Sequence, residues 1–337
     1  MPPPLPHRQW WQHLQSVLVP LILVVAGGII SWMQIGGWVV VGALVMAASL
    51  MWWQGRTQPH AITMILAFVT TIAALDYLLW RLMVTNWANW WIAVPLVLAE
   101  AFGVVHTVGL QVTIWPWHSP ALHPTEDPTL RPIFVFIPTV NEGSEILTPT
   151  IRATLAAREH YLEVNPQGRV TIVICNDGRV ANSPDWQGVE ALAQRMGVLC
   201  VTRTVGGGAK AGNIENARKL VGATGDALLV IFDADQVAKP EFFLKLIAPF
   251  ADPTVGWVQS GQYYGNKENP VARWAHDQQA LFYRVLCGGK AAQNAAFICG
   301  TNVMLRAAAL DQIGGLPQDS VTEDFAASIR LHTRWRS

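Results

Sequence analysis

The chain has 337 residues, 51% hydrophobic and only 14% charged, with 23 basic residues balanced by 23 acidic ones. The charged fraction falls well below the usual quarter, so the chain does not read as one ordinary soluble domain. Zero net charge gives no support for a nucleic-acid partner. The averages also hide a division. Before Ser119 the only acidic or basic residues besides histidine are Arg8, Arg56, Asp76, Arg81 and Glu100, and every lysine follows it. Twelve of the 16 tryptophans precede Ser119. This pattern predicts a membrane region over 1–118, a linker over 119–131 and a soluble domain over 132–337.

Four apolar stretches open the chain: Val17–Met33, Trp38–Trp53, Ala61–Val84 and Trp90–Trp115. Each approaches the roughly 20 helical residues that cross a bilayer. Gln34, Gly36 and Gly37 mark a turn between the first two. The first is not read as a cleaved signal, because no small-residue cleavage site leads into a polar mature region. Tryptophans sit at the expected helix ends: Trp10, Trp11, Trp32, Trp38, Trp52, Trp53, Trp87, Trp90, Trp91, Trp115 and Trp117. Indole rings favour the headgroup zone, so this distribution reads as an aromatic belt. Four crossings put Arg8 and Arg56 on one side and leave the opposite loops without Lys or Arg, which predicts a cytosolic soluble domain. Asp76, Arg81 and Glu100 fall inside or at the ends of the last two stretches, where charges need partners or water. A structural cluster and the lining of a polar channel are both open readings.

The run 116–131 is rich in Pro and without periodicity, which marks the linker. Beyond it strands and helices alternate: strand Ile133–Ile137, helix Ser144–Arg158, strand Val170–Cys175, helix Glu190–Met196, strand Val198–Thr202, helix Ala211–Val221, strand Ala227–Phe232. Such alternation predicts an α/β domain with a parallel, doubly wound sheet, whose ligands bind beyond the carboxyl ends of the strands. Polar signals follow the strands there. They are Thr139-Val140-Asn141-Glu142, Asn176-Asp177-Gly178 and Asp233-Ala234-Asp235. Any one of these turns alone serves equally well as a helix cap. Two carboxylates one residue apart on a sharp turn can hold a hard divalent cation together with a diphosphate. Gly206-Gly207-Gly208-Ala209-Lys210 opens a helix, which suits an anion site, with a flexible turn as the bland alternative. It lacks the spacing of a P-loop, and no GxGxxG is present. Cys175, Cys200, Cys287 and Cys299 form no CxxC pair and read best as buried apolar side chains in a reducing compartment.

The order Thr-x-Asn-Glu, Asp-Gly, Lys-Ala-Gly-Asn, Asp-x-Asp and Thr322-Glu323-Asp324 resembles family 2 glycosyltransferases of the GT-A fold, and bacterial cellulose synthase most of all. The likeness extends to Gln259, Tyr263-Tyr264, Asn269-Pro270 and Phe297-Ile298-Cys299-Gly300-Thr301. It also takes in Tyr77–Arg81 and Leu98–Glu100, and covers about Leu14 to Ser337. It implies an N-terminal transmembrane helix bundle followed by a GT-A mixed sheet. It also implies that UDP-glucose is the donor, a growing β-1,4-glucan the acceptor and Mg²⁺ or Mn²⁺ the cofactor. Thr139, Glu142 and Asp177 would hold the uridine, and Lys210 the diphosphate. Asp233 and Asp235 would hold the metal and the diphosphate. Phe297, Cys299, Gly300, Thr301 and Glu323 would meet the acceptor, and Asp324 would be the general base of an inverting transfer. Location in the plasma membrane and an accessory synthase subunit follow from the same likeness.

Asn176 stands where the family often has a first Asp, and Ser260-Gly261-Gln262 where it has Thr-Pro-His. The family's Gln-x-x-Arg-Trp motif and later helices have no counterpart before Ser337, which predicts a truncated chain. Synthases of hyaluronan, chitin or mixed β-glucan, and a non-catalytic fragment assembling with a full-length synthase, are the alternatives.

Overall fold

The computed structural model describes residues 59–114, 125–127 and 129–335, with isolated helical positions between 22 and 49. The first two apolar stretches, most of their tryptophans, Arg8, Arg56 and residues 115–124 lie outside the described residues. The chain divides into two compact units, Met1–Ser119 with Arg284–Asn294, and Pro120–Tyr283 with Ala295–Ser337.

In the first unit α1 (Pro59–Val84) and α2 (Trp90–Ile114) pack together, matching the third and fourth predicted stretches within two residues at each end. Asn86 caps the short turn between them by accepting the Ala88 N–H at 3.1 Å. Ala67–Val84 and Trp87–Thr113 are long and apolar enough to cross a bilayer. Their polar groups face each other. Thr71 Oγ1 donates to Gln111 Oε1 at 2.6 Å, and Gln111 Nε2 donates to the Ala67 carbonyl at 2.9 Å. Arg81 pairs with Glu100 at 3.0 Å, so these two charges have partners, as charges in such a place require.

The second unit holds a six-stranded sheet in the order β3-β2-β1-β4-β6-β5. Its strands are β1 (Ile133–Thr139), β2 (Val170–Asn176), β3 (Leu199–Thr202), β4 (Leu228–Ile231), β5 (Trp257–Gln259) and β6 (Val303–Arg306). The first four are mutually parallel, whereas β6 runs antiparallel to both β4 and β5, so the sheet is mixed. Helices α3 (Ser144–Val164), α4 (Trp186–Met196), α5 (Ala209–Leu220) and α6 (Phe242–Ile247) follow the parallel strands. Then come α7 (Pro270–Leu281), the short α8 (Gly288–Ala292) of the first unit, α9 (Ala307–Ile313) and α10 (Glu323–Arg334).

Side chains alternate across a strand, so β1 feeds two cores. Val135 and Ile137 pack with Leu147, Ile151 and Phe243 on one face. Phe136 packs with Ile214, Leu305 and Leu331 on the other. α3 runs six residues past the predicted Arg158, because Ala157 and buried Tyr161 continue its apolar face beneath an Arg-Glu-His surface. β5 and β6 carry only three and four residues, too few for a periodic signal. The end of the predicted linker is docked: buried Asp127 accepts the Tyr161 hydroxyl at 2.8 Å, and the Thr125 N–H donates to the Leu244 carbonyl. The four cysteines form no disulfide, with Cys175 buried and the other three half-buried.

Candidate active site

All six residues predicted to meet a donor line one cleft of about 490 Å³ at the carboxyl ends of β1, β2 and β4. Thr139, at the end of β1, donates its hydroxyl to Glu142 Oε2 at 2.9 Å. The N–H groups of Val140 and Asn141 reach the same oxygen at 2.7 and 3.1 Å. Burial opposes the charge on Glu142, but these hydrogen bonds, with that of its own N–H, outweigh it and hold the carboxyl below its ordinary value.

Asp177 follows β2 and is buried. Its N–H donates to the Thr139 carbonyl at 2.9 Å, which ties the first two turns together. Its carboxylate takes both arms of the Arg203 guanidinium, itself buried. Arg203 also donates to the carbonyls of Gly207 and Ala209, at 2.6 and 3.2 Å, and so fastens the glycine loop to the same carboxylate. A lone arginine after a short strand carries no spacing signal, and sequence reasoning did not single out Arg203. Asn176 is structural: its amide donates to the Trp186 carbonyl and accepts the Gly178 N–H.

The glycine loop does open a helix. Gly208, at φ 66°, is the residue before α5, and Lys210 lies in the first turn. Gly212 allows the loop to close, since a Cβ there would stand 2.0 Å from the Gly207 carbonyl oxygen. Lys210 Nζ pairs with Asp233 and donates to the Gly300 carbonyl at 2.8 Å. The Asp233 N–H in turn donates to Thr301 Oγ1 at 2.9 Å.

The segment predicted to meet the acceptor flanks this cleft and does not line it. Gln259, at the end of β5, accepts the Cys299 N–H at 2.9 Å and donates to the Thr301 carbonyl at 2.9 Å, which fixes the loop's shape. Ser260 stabilises the same region by donating to the Asn302 carbonyl at 2.9 Å. The Ile298 N–H donates to Ser328 Oγ of α10 at 2.8 Å, and His332 Nε2 meets the Ala296 carbonyl at 2.7 Å. Ser328 and His332 were also missed from sequence, since nothing local marks them as loop partners. Glu323 and Asp324 occupy the first turn of α10. An added Cβ on Gly300 would lie 3.3 Å from Asp324 Oδ2, so the carboxylate sits directly against that glycine.

Among the described residues no group of three or more His, Cys, Asp or Glu is arranged to enclose a metal. The donor set is two carboxylates: Asp233, bound to Lys210 on one oxygen, and the exposed Asp235. This set fits a hard cation that takes its remaining oxygens from a phosphate ligand and water, not a closed protein cage.

The sequence profile of the glycosyltransferase-like family 2 matches residues 131–336. The chain is 28% identical over 331 residues to a putative cellulose synthase 2 of Komagataeibacter xylinus, covering 94% of this chain and 20% of that protein. It is 28% identical over 279 residues to a UDP-forming cellulose synthase catalytic subunit of Pseudomonas fluorescens (strain SBW25), covering 79% of this chain and 36% of that protein. It is 27% identical over 295 residues to the UDP-forming cellulose synthase 1 catalytic subunit of Komagataeibacter xylinus, covering 83% and 37%. The chain therefore spans about a fifth to little more than a third of the length of these relatives. With the profile matched from the first strand through α10, this chain belongs to glycosyltransferase family 2.

Proposed function

We propose that the chain carries the donor-binding and base residues of a membrane-bound inverting glycosyltransferase that passes glucose from UDP-glucose to a growing β-1,4-glucan. The observation that carries this reading is the meeting of two halves at Gly300. Its carbonyl accepts from Lys210 of the donor cleft, and Asp324 lies against its Cα. A diphosphate in the cleft would therefore end beside a carboxylate.

In this reading Thr139, Glu142 and Asp177 bind the uridine as hydrogen-bond acceptors, and Arg203 holds Asp177 in place. Lys210 turns from Asp233 towards the diphosphate, and Asp233 and Asp235 hold Mg²⁺ or Mn²⁺. The cation would supply positive charge that offsets the charge growing on the leaving diphosphate. The Phe297–Thr301 loop, with Glu323, orients the acceptor sugar. Asp324 takes the proton from its attacking hydroxyl, a role that suits a carboxylate within reach of that oxygen. The α2 surface leaves Trp90, Trp91, Leu98 and Phe102 more than 60% exposed, which supports a lipid setting. The catalytic unit would then face the cytosol, where UDP-sugars are made.

Calorimetric titration of UDP into detergent-solubilised protein, with and without Mg²⁺, tests the donor site. Metal-strengthened binding that Asp235→Ala abolishes is expected. Equal affinity in both conditions would overturn the assignment of Asp233 and Asp235.

A further inference from the structure

Resting on that reading, we propose that Gln318 is a positioning residue of the donor site, a brace that holds the glycine loop in the shape that meets the diphosphate. Three consecutive glycines, Gly206, Gly207 and Gly208, lead into Lys210. Such a run is hard to order, because each glycine loses more backbone freedom on folding than any other residue. What lies beside each of them differs. A Cβ on Gly206 would stand 2.7 Å from Val180 Cγ1, and one on Gly207 would meet no described atom within 4 Å. One on Gly208 would run into Gln318, 2.7 Å from its Cδ and 2.8 Å from its Cγ. The Gln318 side chain therefore lies directly on the last glycine before α5, and Lys210 follows in the first turn of that helix.

Gln318 is exposed, yet the chain on either side of it is pinned. It belongs to the turn that joins α9 to α10. Before it, the Leu316 N–H donates to Glu215 Oε1 of α5 at 2.9 Å. Glu215 is buried and paired with buried Arg218, which also donates to Asp311 of α9 at 2.6 Å. Gly315 lets the turn come this close, since a Cβ there would stand 2.7 Å from Glu215 Oε2. Pro317 is buried, and its ring fixes the backbone immediately before Gln318. After it, both Asp319 carboxylate oxygens accept from Arg330 Nη2 of α10, at 2.8 and 2.7 Å. A buried network thus anchors the brace to the same helix that the glycine loop opens.

The competing explanation is a surface glutamine that merely lies over a glycine. The loop does have a second hold, since Arg203 takes the carbonyls of Gly207 and Ala209. The two accounts differ in what they require of ligands. Thr139, Glu142 and Asp177 stand on the turns after β1 and β2, so a brace on the glycine loop acts on phosphate binding and not on the nucleoside. A glutamine without a role acts on neither, and one that only stabilises the fold acts on both alike. The contact with Gly208 is one of packing, so a methionine of similar length fills the same place.

The experiment is calorimetric titration of UDP with Mg²⁺ into the detergent-solubilised protein, with uridine affinity read by competition against UDP. Gln318→Ala is expected to weaken UDP binding about tenfold, the size set by ordering about one further backbone residue on binding, and to change uridine affinity less than about twofold. Gln318→Met retains the wild-type UDP affinity. The thermal midpoint of each variant stays near that of wild type, because the side chain is exposed. The proposal is overturned by unchanged UDP affinity in Gln318→Ala, or by an equal loss for UDP and uridine. It is equally overturned if Gln318→Met binds UDP as weakly as Gln318→Ala. Wild-type protein that binds no UDP would instead overturn the donor-site reading on which the brace rests.

Discussion

Arg203 and Asp177 form a buried ion pair at the cleft beyond β1, β2 and β4. Removing one partner of such a pair leaves the other charge unpaired, at a cost of about 3–5 kcal/mol. Arg203→Met should therefore lower the thermal midpoint and weaken UDP binding together, because the glycine loop is released as well. A variant with unchanged melting and UDP affinity would refute its positioning role. Glu142 sets a pH dependence of known sign. Its folded pKa is depressed, so its contribution to stability is present above its unfolded value and is lost as pH falls through the folded one. The stability difference between wild type and Glu142→Gln, read from urea midpoints, should be full at neutral pH and shrink towards acid. A difference that grew on acidification would contradict the hydrogen-bonded carboxylate described at β1. The acidic turns that make up the cleft were legible in sequence because each follows an apolar strand. Arg203 was not, since its meaning lies wholly in which carboxylate it meets after folding.

At the scale of elements, the junction of the glycine loop with α5 is the most tightly constrained part of the site. Gly212→Ala would drive a methyl into the Gly207 carbonyl, which is backbone and cannot swing aside. The variant should lose UDP binding through distortion of the loop, even where circular dichroism still reports a folded sheet. Retained affinity would show that the loop does not touch the diphosphate. The parallel half of the sheet was readable because β1, β2 and β4 are apolar runs bounded by turns, buried on both faces. The antiparallel β5 and β6 were not. They are short, and their pairing is set by the Gln259, Ser260 and Asn302 hydrogen bonds, not by hydrophobic period. Helix ends moved for a related reason. α3 outlasts its predicted end because Tyr161 finds Asp127, a partner 34 residues away.

At the scale of the whole molecule, the reading joins apolar helices to a catalytic unit on the cytosolic side. Reporter fusions at Asn86 and Pro128 should lie on opposite sides of the membrane, with Pro128 inside. An external Pro128 would remove access to cytosolic UDP-sugars and with it the proposed function. The central claim concerns Asp324, which is either a base or merely part of the opening turn of α10. Loss of a capping group lowers stability by about 1 kcal/mol and so reduces the amount of folded protein, not the activity of each folded molecule. Loss of a positioned base lowers turnover by about a hundred- to ten-thousandfold and spares donor binding. The deciding measurement is polymer formation from radiolabelled UDP-glucose and Mg²⁺ by membranes carrying the protein, compared with its Asp324→Asn variant. Insoluble product is counted before and after glucanase and normalised to folded protein. A loss of that size with UDP affinity intact is the predicted result, and wild-type polymer yield per folded Asp324→Asn molecule would contradict it.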